Sequence, residues 1–237
     1  RLRLAEVADQ SVHSAGRRLS ASTGVAGARM LAALESMVHP DGQYALVNDT
    51  ALGVAPSLQA LHRRFGGAIP GKCRRTWALP AGGFYGYRAQ DRYLLFDAGP
   101  IGPDHQPGHG HAGALSFELS ARGRRIVTDT GVFTYAAGSE RSHDRSTASH
   151  NTIEIDGRDQ SDVWGAFRCG RRAAIVEARA VGGREGAALV GAYLGPGRHG
   201  ARSVSPERQI FVNSRILAFT DTVTCGGDHR AALRLHF

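Results

Sequence analysis

From Phe84 onward, short stretches of alternating apolar and polar residues follow one another, separated by turns rich in glycine. Residues 84–89 and 93–96 flank a three-residue turn, as in a β-hairpin, and residues 215–221 alternate Arg-Ile-Leu-Ala-Phe-Thr-Asp. Because successive side chains of a strand point to opposite faces, each stretch can bury one face only. Many short strands of this kind, in a chain with 31 glycines, predict an antiparallel β-sandwich. Further strands are predicted at 113–120, 124–129, 150–156, 172–180, 187–193, 207–213, 215–223 and 230–237.

The first 65 or so residues have a helical pattern instead. Apolar residues fall near one helical stripe in 2–12, and residues 25–38 place Met30, Leu31 and Leu34 on one side of a second helix, which the turn residues 40–42 end. Residues 51–65 are predicted to form a third helix, stopped by two glycines. The fold class is therefore mainly β, with a few helices before the sandwich.

Composition limits the classes of function. The 237 residues, 42% of them hydrophobic, suffice for one large β domain or for one domain and a piece of another, and no apolar run is long enough to span a membrane. The net charge of +8 is carried mostly by arginine, whose guanidinium suits acidic partners, although an arginine-rich surface from a GC-rich genome gives the same count. Nucleic-acid binding is not expected, because no recognition helix, zinc-finger spacing or aromatic RNA motif is present.

The cysteines and the N-terminus add little. Cys73, Cys169 and Cys225 are too dispersed for a thiolate zinc site, and whether two of them pair stays open. The chain begins with Arg1 and shows no signal peptide, so we interpret it as a fragment or a processed product whose compartment its N-terminus does not reveal.

One segment breaks the strand pattern. Residues 97–111 contain three prolines, four glycines and three histidines. Long irregular loops within compact domains are usually functional. The segment ends in His109-Gly110-His111, at the start of a predicted strand.

Two imidazoles and a carboxylate at the ends of separate strands suggest a metal site. Asp129 follows the largely apolar residues 125–128, where a carboxylate is costly unless it is paired or bound to a metal, and His150 opens another strand. If these strands are neighbours, His111, Asp129 and His150 form a ligand set that suits zinc. Loop and core polar residues satisfied by hydrogen bonds would give the same pattern.

Three motifs resemble those of the heparinase II/III-like family, which includes heparin, heparan and oligo-alginate lyases. They lie, in the same order, at 108–119, at 129–135, and at 145–153 with 156–160. The close likeness covers about residues 83 to 168, and a weaker one continues to the end. Residues 39–43 with Asn48 and Asp49 look like the end of the family's α/α toroid.

The resemblance implies an incomplete α/α toroid packed on an antiparallel β super-sandwich, with the active site between them. Residues 1–80 would then be the end of the toroid and a linker, and residues 81–237 the sandwich. It also implies a bacterial enzyme of the periplasm or the exterior.

Site residues are carried over position by position. His111, Asp129 and His150 match the metal ligands, usually of zinc, which we expect to be structural, although another divalent ion could replace it. His109 and Tyr135 match catalytic positions, and Arg145 matches a substrate-binding arginine. Where many members have an acidic residue two places after the metal histidine, this chain has Gly113.

The predicted function is β-elimination of a uronate-containing acidic polysaccharide such as heparan, alginate or an exopolysaccharide. The family's toroid supplies an Asn or His and a Tyr that would lie before Arg1, so the chain by itself is expected to be inactive. A non-catalytic glycan-binding sandwich and a metal-dependent hydrolase are the alternatives. The sequence leaves the oligomeric state open.

Each site residue also has a simpler interpretation. His109 could be a solvated loop residue, Tyr135 a packing residue and Arg145 part of a structural ion pair. Trp164 is expected in the core or in a cleft wall.

Overall fold

The computed structural model describes residues 24–65, 75–89, 91–195 and 204–237. Antiparallel strands dominate, with two helices before the first strand and one between strands, which confirms the predicted fold class. The helices are α1 (24–36), α2 (Leu58–Phe65) and α3 (Ser139–Arg145). The strands are β1 (Thr76–Leu79), β2 (Phe84–Ala89), β3 (Arg92–Asp97), β4 (Phe117–Ala121), β5 (Arg124–Val127), β6 (Ile153–Ile155), β7 (Val163–Trp164), β8 (Arg168–Cys169), β9 (Ala174–Gly182), β10 (Ala187–Leu194), β11 (Ser205–Val212), β12 (Leu217–Thr224) and β13 (Ala231–Leu233).

Two antiparallel sheets form the body of the molecule. One has the strand order β1-β2-β3-β4-β5 and the other the order β12-β11-β10-β9. Their inner faces share one apolar cluster, in which Leu94 and Phe96 of the first sheet and Leu189 and Ile210 of the second are almost completely buried. This shared burial is what stabilises the sandwich, because apolar side chains from both sheets leave water together.

The predicted hairpin is confirmed as β2 paired with β3. Most other strands lie within a few residues of their predicted bounds, but the one predicted at 230–237 is only Ala231–Leu233, which pairs with β6. Three short strands, β1, β7 and β8, were not predicted. Each spans four residues or fewer, too few for an alternation to be visible.

The helix predicted at 25–38 is confirmed in its main part by α1, whereas the helix predicted at 2–12 lies outside the described residues. The prediction for 51–65 is wrong in its first half, because the helix begins only at Leu58. Pro56 disfavours helical backbone at the residue before it, and Ser57 caps the helix, its Oγ accepting the Ala60 N–H at 3.3 Å.

The segment after α1 lies against the first sheet. Ala45 packs with Trp77, Tyr93 and Leu95 in a second apolar cluster, on the face of the sheet that looks away from the sandwich core. This packing brings residues 48 and 49 beside the irregular loop, where the side-chain Oδ1 of Asn48 accepts the backbone N–H of His111 at 2.9 Å. In the described part of the chain, no helix is both long enough and apolar enough to cross a bilayer.

Candidate active site

His109 lies at the end of a short 3-10 helix, Pro107–His109, within the irregular loop. Its side chain is 56% exposed, yet its Nδ1 lies 2.7 Å from Oδ2 of Asp49, whose side chain is only 7% exposed. A carboxylate accepts hydrogen bonds and does not donate them, so Nδ1 of His109 carries the hydrogen. The other ring nitrogen, Nε2, is then the one that can accept a proton.

Aromatic rings surround this histidine. The rings of Tyr135 and Phe167 are 5.9 and 5.4 Å from the His109 ring, centroid to centroid, in edge-to-face orientation. Both are substantially exposed. Beside His109 and Phe167 is an open pocket of about 390 Å³, also lined by residues 106–108. An exposed imidazole next to a phenol, at the edge of an open pocket, is an arrangement suited to proton transfer on a bound ligand.

His111 and His150 lie beneath this surface and are buried. Their ring centroids are 5.4 Å apart, and with Asp129 both line one small cavity of about 10 Å³. Nε2 of His111 donates to Oδ1 of Asp49 at 2.8 Å, and Nδ1 of His150 is 2.9 Å from both oxygens of Asp129. The structure therefore brings together the three residues predicted as metal ligands.

The charges of these groups follow from their neighbours. Burial alone would lower the pKa of His150, but the Asp129 carboxylate outweighs it and raises that pKa. Burial would likewise raise the pKa of Asp129, but His150 outweighs it and lowers that pKa. Burial lowers the pKa of His111, against the hydrogen bond to Asp49, and keeps its imidazole neutral.

The donor set fits a divalent metal by its chemistry. Nδ1 of His111 and Nε2 of His150 are buried and have no hydrogen-bond partner among the described residues. Two unpartnered imidazole nitrogens beside a carboxylate are what a zinc ion requires. The arrangement is not yet that of a bound metal: within 24–65, 75–89, 91–195 and 204–237, no three His, Cys, Asp or Glu side chains are already spaced to hold one. Metal binding by His111, Asp129 and His150 thus stays a prediction.

The close approach of the His150 ring explains why position 113 is a glycine. A Cβ at this position would come within 2.9 Å of Cγ of His150 and 3.0 Å of its Cδ2. The His150 ring therefore lies directly against the backbone, and no acidic side chain can project from position 113 without displacing it. Asp49 instead supplies the carboxylate that contacts His111.

Arg145 is buried, and its guanidinium donates to backbone carbonyl groups. Its Nε and Nη2 each lie 3.2 Å from the oxygen of Gly110, and its Nη1 lies 3.4 Å from those of Trp164 and Gly165. The observed contacts hold the loop between the two site histidines against the β7–β8 turn. A role of Arg145 in substrate binding stays a prediction. Trp164, expected in the core or a cleft wall, is 51% exposed.

The sequence did not single out Asp49 and Arg141 as site residues. Arg141 is fully buried, and its two terminal nitrogens bind the two oxygens of Asp49. Asp49 is separated from Arg141 by 92 positions and from His109 by 60. The sequence signal that could have identified Asp49 was the likeness of Asn48 and Asp49 to the end of the toroid. That likeness did not assign either residue a role in the site.

Comparison with known proteins gives both a family and a fold. A family model described as heparinase II/III-like, C-terminal, matches residues 72–237. A heparan sulfate lyase variant from Pedobacter heparinus superposes with a TM-score of 0.58 at 20% identity, over 84% of this chain and 32% of the lyase. A heparinase III structure gives a TM-score of 0.57 at 18% identity, over 83% and 32%. No curated protein sequence matches significantly.

The chain thus spans about a third of the length of either solved structure. At this level of identity, the two structures show that the fold is shared. The family match covers more than half of the chain and includes every strand that the structure describes and every predicted site residue. The protein belongs to the heparinase II/III-like family, of which it contains the C-terminal domain.

Proposed function

We propose that this chain is the β-sandwich part of a polysaccharide lyase that cleaves a uronate-containing acidic polysaccharide by β-elimination. The observation that carries the proposal is His109, an exposed imidazole held by a buried carboxylate at the edge of an open pocket that Phe167 also lines. The family match supports it, as do a heparan sulfate lyase and a heparinase III among the structures of the same fold. The activity would belong to a longer protein that contains this chain.

The reaction sets the chemical requirements. The proton on the ring carbon α to the uronate carboxylate goes to a base, a double bond forms between that carbon and the next, and the glycosidic oxygen departs with its bonding electrons and takes a proton. A base, an acid and a group that neutralises the carboxylate are therefore needed. Imidazole serves as a base near neutral pH without large tuning of its pKa.

His109 and Tyr135 would take the two proton roles. Nε2 of His109 accepts the carbon-bound proton, because Nδ1 already carries a hydrogen that it donates to Asp49. The Tyr135 phenol, half exposed and with its ring 5.9 Å from that of His109, protonates the leaving oxygen. Neutralisation of the uronate is left to the longer protein, in which the family's toroid faces this surface.

An acidic sugar chain matches the chemistry around the pocket. The exposed rings of Trp164 and Phe167 can stack on sugar rings, and Arg168, next along the chain, is also exposed. The net charge of +8 favours association with a polyanion. A bacterial polysaccharide lyase would meet its substrate in the periplasm or outside the cell, and we propose that location.

His111, Asp129 and His150 would hold a divalent metal, zinc by preference. When bound, the ion would supply a fixed centre for the strand ends and for the loop that leads to His109, rather than an activated water. The two unpartnered imidazole nitrogens support this part of the proposal.

The test uses the longest natural protein that contains this chain, incubated with heparan sulfate, alginate and a uronate-containing exopolysaccharide. A lyase produces the ultraviolet absorbance of an unsaturated uronate. We expect this signal with at least one substrate, and a loss of about 100-fold or more in kcat for His109→Gln. The matched control is His143→Gln, since His143 is an exposed histidine of α3 outside the pocket.

Three outcomes would contradict the proposal. Shortening of acidic glycans without the double-bond absorbance would indicate hydrolysis. Binding of these glycans with no cleavage would indicate a non-catalytic sandwich. Equal activity of His109→Gln and wild type would remove His109 from the chemistry.

A further inference from the structure

Three side chains from parts of the sequence distant from Asp49 meet at its carboxylate. Its Oδ2 is 2.7 Å from Nδ1 of His109, and its Oδ1 is 2.8 Å from Nε2 of His111. Arg141 binds the same two oxygens, Nη2 lying 3.0 Å from Oδ2 and Nη1 contacting Oδ1. Each oxygen of Asp49 thus accepts one hydrogen from arginine and one from a histidine.

The charge of this carboxylate is fixed. Both terminal nitrogens of the buried Arg141 guanidinium bind the two oxygens of Asp49, and a guanidinium in this two-pronged contact pairs with a carboxylate. An ionised carboxylate accepts hydrogen bonds only, and arginine donates them only. Both histidines must therefore donate to Asp49, and each keeps its other ring nitrogen free of that hydrogen.

Arg141 holds the carboxylate in place from the buried side. It is completely buried, and its Nε donates to the Ala166 carbonyl oxygen at 2.9 Å. Its guanidinium carbon lies 5.3 and 5.4 Å from the ring centroids of Tyr135 and Phe167, the rings that surround His109. The arginine that positions Asp49 also supports the wall of the pocket.

A purely structural ion pair between Asp49 and Arg141 would not require hydrogen bonds from two histidines as well. Arg141 alone could satisfy both oxygens of Asp49, and an exposed loop histidine could point to solvent. His109 instead turns one nitrogen inward, to a side chain that is 7% exposed, while its own ring stays 56% exposed. The inward nitrogen is held by Asp49, and the outward nitrogen is the one available to a ligand.

We propose that Asp49 is a positioning residue of the lyase site, which orients His109 and fixes the tautomer that leaves Nε2 unprotonated toward the pocket. The same carboxylate fixes the tautomer of His111 and leaves its Nδ1 for the ion, so that one residue aligns the proton-accepting histidine and the predicted metal-binding histidine. The inference rests on the proposed function for the catalytic part and on hydrogen-bond geometry for the tautomers.

The first test needs no activity. Long-range ¹H–¹⁵N correlation spectra of the chain at alkaline pH distinguish the two neutral tautomers of each histidine, and the signals of His109 are those that disappear in His109→Gln. We expect His109 of the wild type to be mainly the Nδ1–H tautomer. A wild-type His109 that is mainly Nε2–H would overturn the proposal, whatever any variant does.

The second test compares three variants. Asp49→Asn keeps the size of the side chain but places an NH₂ group against donors, so the Nδ1–H fraction of His109 should fall. Asp49→Glu keeps two acceptor oxygens and should recover part of that fraction. Asp104→Asn makes the same chemical change at an exposed aspartate of the same loop and should leave the spectrum unchanged. An unchanged His109 tautomer in a folded Asp49→Asn variant would contradict the proposal.

Kinetics of the longer protein separate this inference from the proposed function. For Asp49→Asn we expect kcat to fall about 10- to 100-fold with little change in KM, because the base is misoriented while the pocket remains. A rise in KM alone would contradict a positioning role. If the longer protein shows no lyase activity although the tautomers respond as expected, the proposed function fails and the positioning of both histidines by Asp49 stands.

Discussion

Arg208 of β11 and Asp221 of β12 form a two-pronged ion pair, with Nε–Oδ1 and Nη2–Oδ2 distances of 2.7 and 2.8 Å. The remaining nitrogen, Nη1, donates to the backbone carbonyl oxygens of Leu115 and Asn151. Asn151 follows the predicted metal ligand His150, and Leu115 follows the loop that contains His111. One arginine of the second sheet thus fixes two segments of the candidate site.

Replacing this arginine should strongly destabilise the fold. Arg208 is completely buried, so Arg208→Met leaves a partly buried carboxylate and two carbonyl groups without their partner. We expect the free energy of unfolding in urea to fall by about 3–5 kcal/mol. Arg179→Met, at an exposed arginine paired with exposed Glu177, is the control and should change it by less than about 1 kcal/mol. Similar losses for both variants would contradict a special role of Arg208.

Gly113 should not tolerate even a methyl group. Gly113→Ala would force the buried His150 ring away from the backbone, since the new Cβ would lie 2.9 Å from its Cγ. We expect a loss of about 1–3 kcal/mol in unfolding free energy. Gly27→Ala is the matched control, because α1 leaves open space at that Cβ, and it should be neutral or slightly stabilising. A neutral Gly113→Ala would show that the ring can move freely.

Zinc binding should depend on the predicted ligands. Calorimetric titration of the metal-free chain should show one zinc site, and His150→Ala or Asp129→Asn should weaken it at least about 10-fold. His143→Gln, at an exposed histidine, serves as the control. Circular dichroism checks that the variants remain folded. Undiminished zinc binding by folded His150→Ala would remove this residue from the ligand set.

Stability should decrease as pH rises from 7 to 9. Burial raises the pKa of Glu118 from 4.5 to about 8. The contribution of Glu118 to the free energy of unfolding is therefore fully present below pH 4.5 and is lost as the pH rises through about 8. Burial lowers the pKa of His39, its neighbour, to about 3, so the contribution of His39 is constant above pH 6.5. The raised pKa of His150 acts in the same direction as that of Glu118.

The Glu118→Gln variant tests this assignment. Urea unfolding should give a free energy that drops by about 1 kcal/mol less between pH 7 and 9 than in the wild type, because the amide has no proton to lose. Glu140→Gln, at an exposed glutamate of α3 with a lowered pKa, should leave the pH dependence unchanged. If Glu118→Gln unfolds with the same pH dependence as the wild type, Glu118 is not the group that causes the loss of stability.

The sandwich and the meeting of His111, Asp129 and His150 could be predicted because both follow from local patterns: alternation along strands, and motifs a few residues long. Asp49 could not, because its role arises only when residues 60 and 92 positions away fold onto it. The burial of Arg145 and its hydrogen bonds to backbone carbonyl groups could not be predicted either. A sequence motif identifies an arginine and its charge, but the tertiary fold decides which carbonyl groups accept its hydrogen bonds.

The two-stranded sheet of β6 and β13 bears on how the protein matures. Beside it, the side-chain oxygen of Asn151 accepts the N–H of His236, 85 positions later, and the carbonyl oxygen of His236 accepts the N–H of Thr128. A ribosome releases residues 128 and 151 long before residue 236 has emerged. The walls around His150 and Asp129 therefore close only after residue 236 has left the ribosome, and until then this part of the nascent chain presents an unpaired strand edge to chaperones and neighbouring chains.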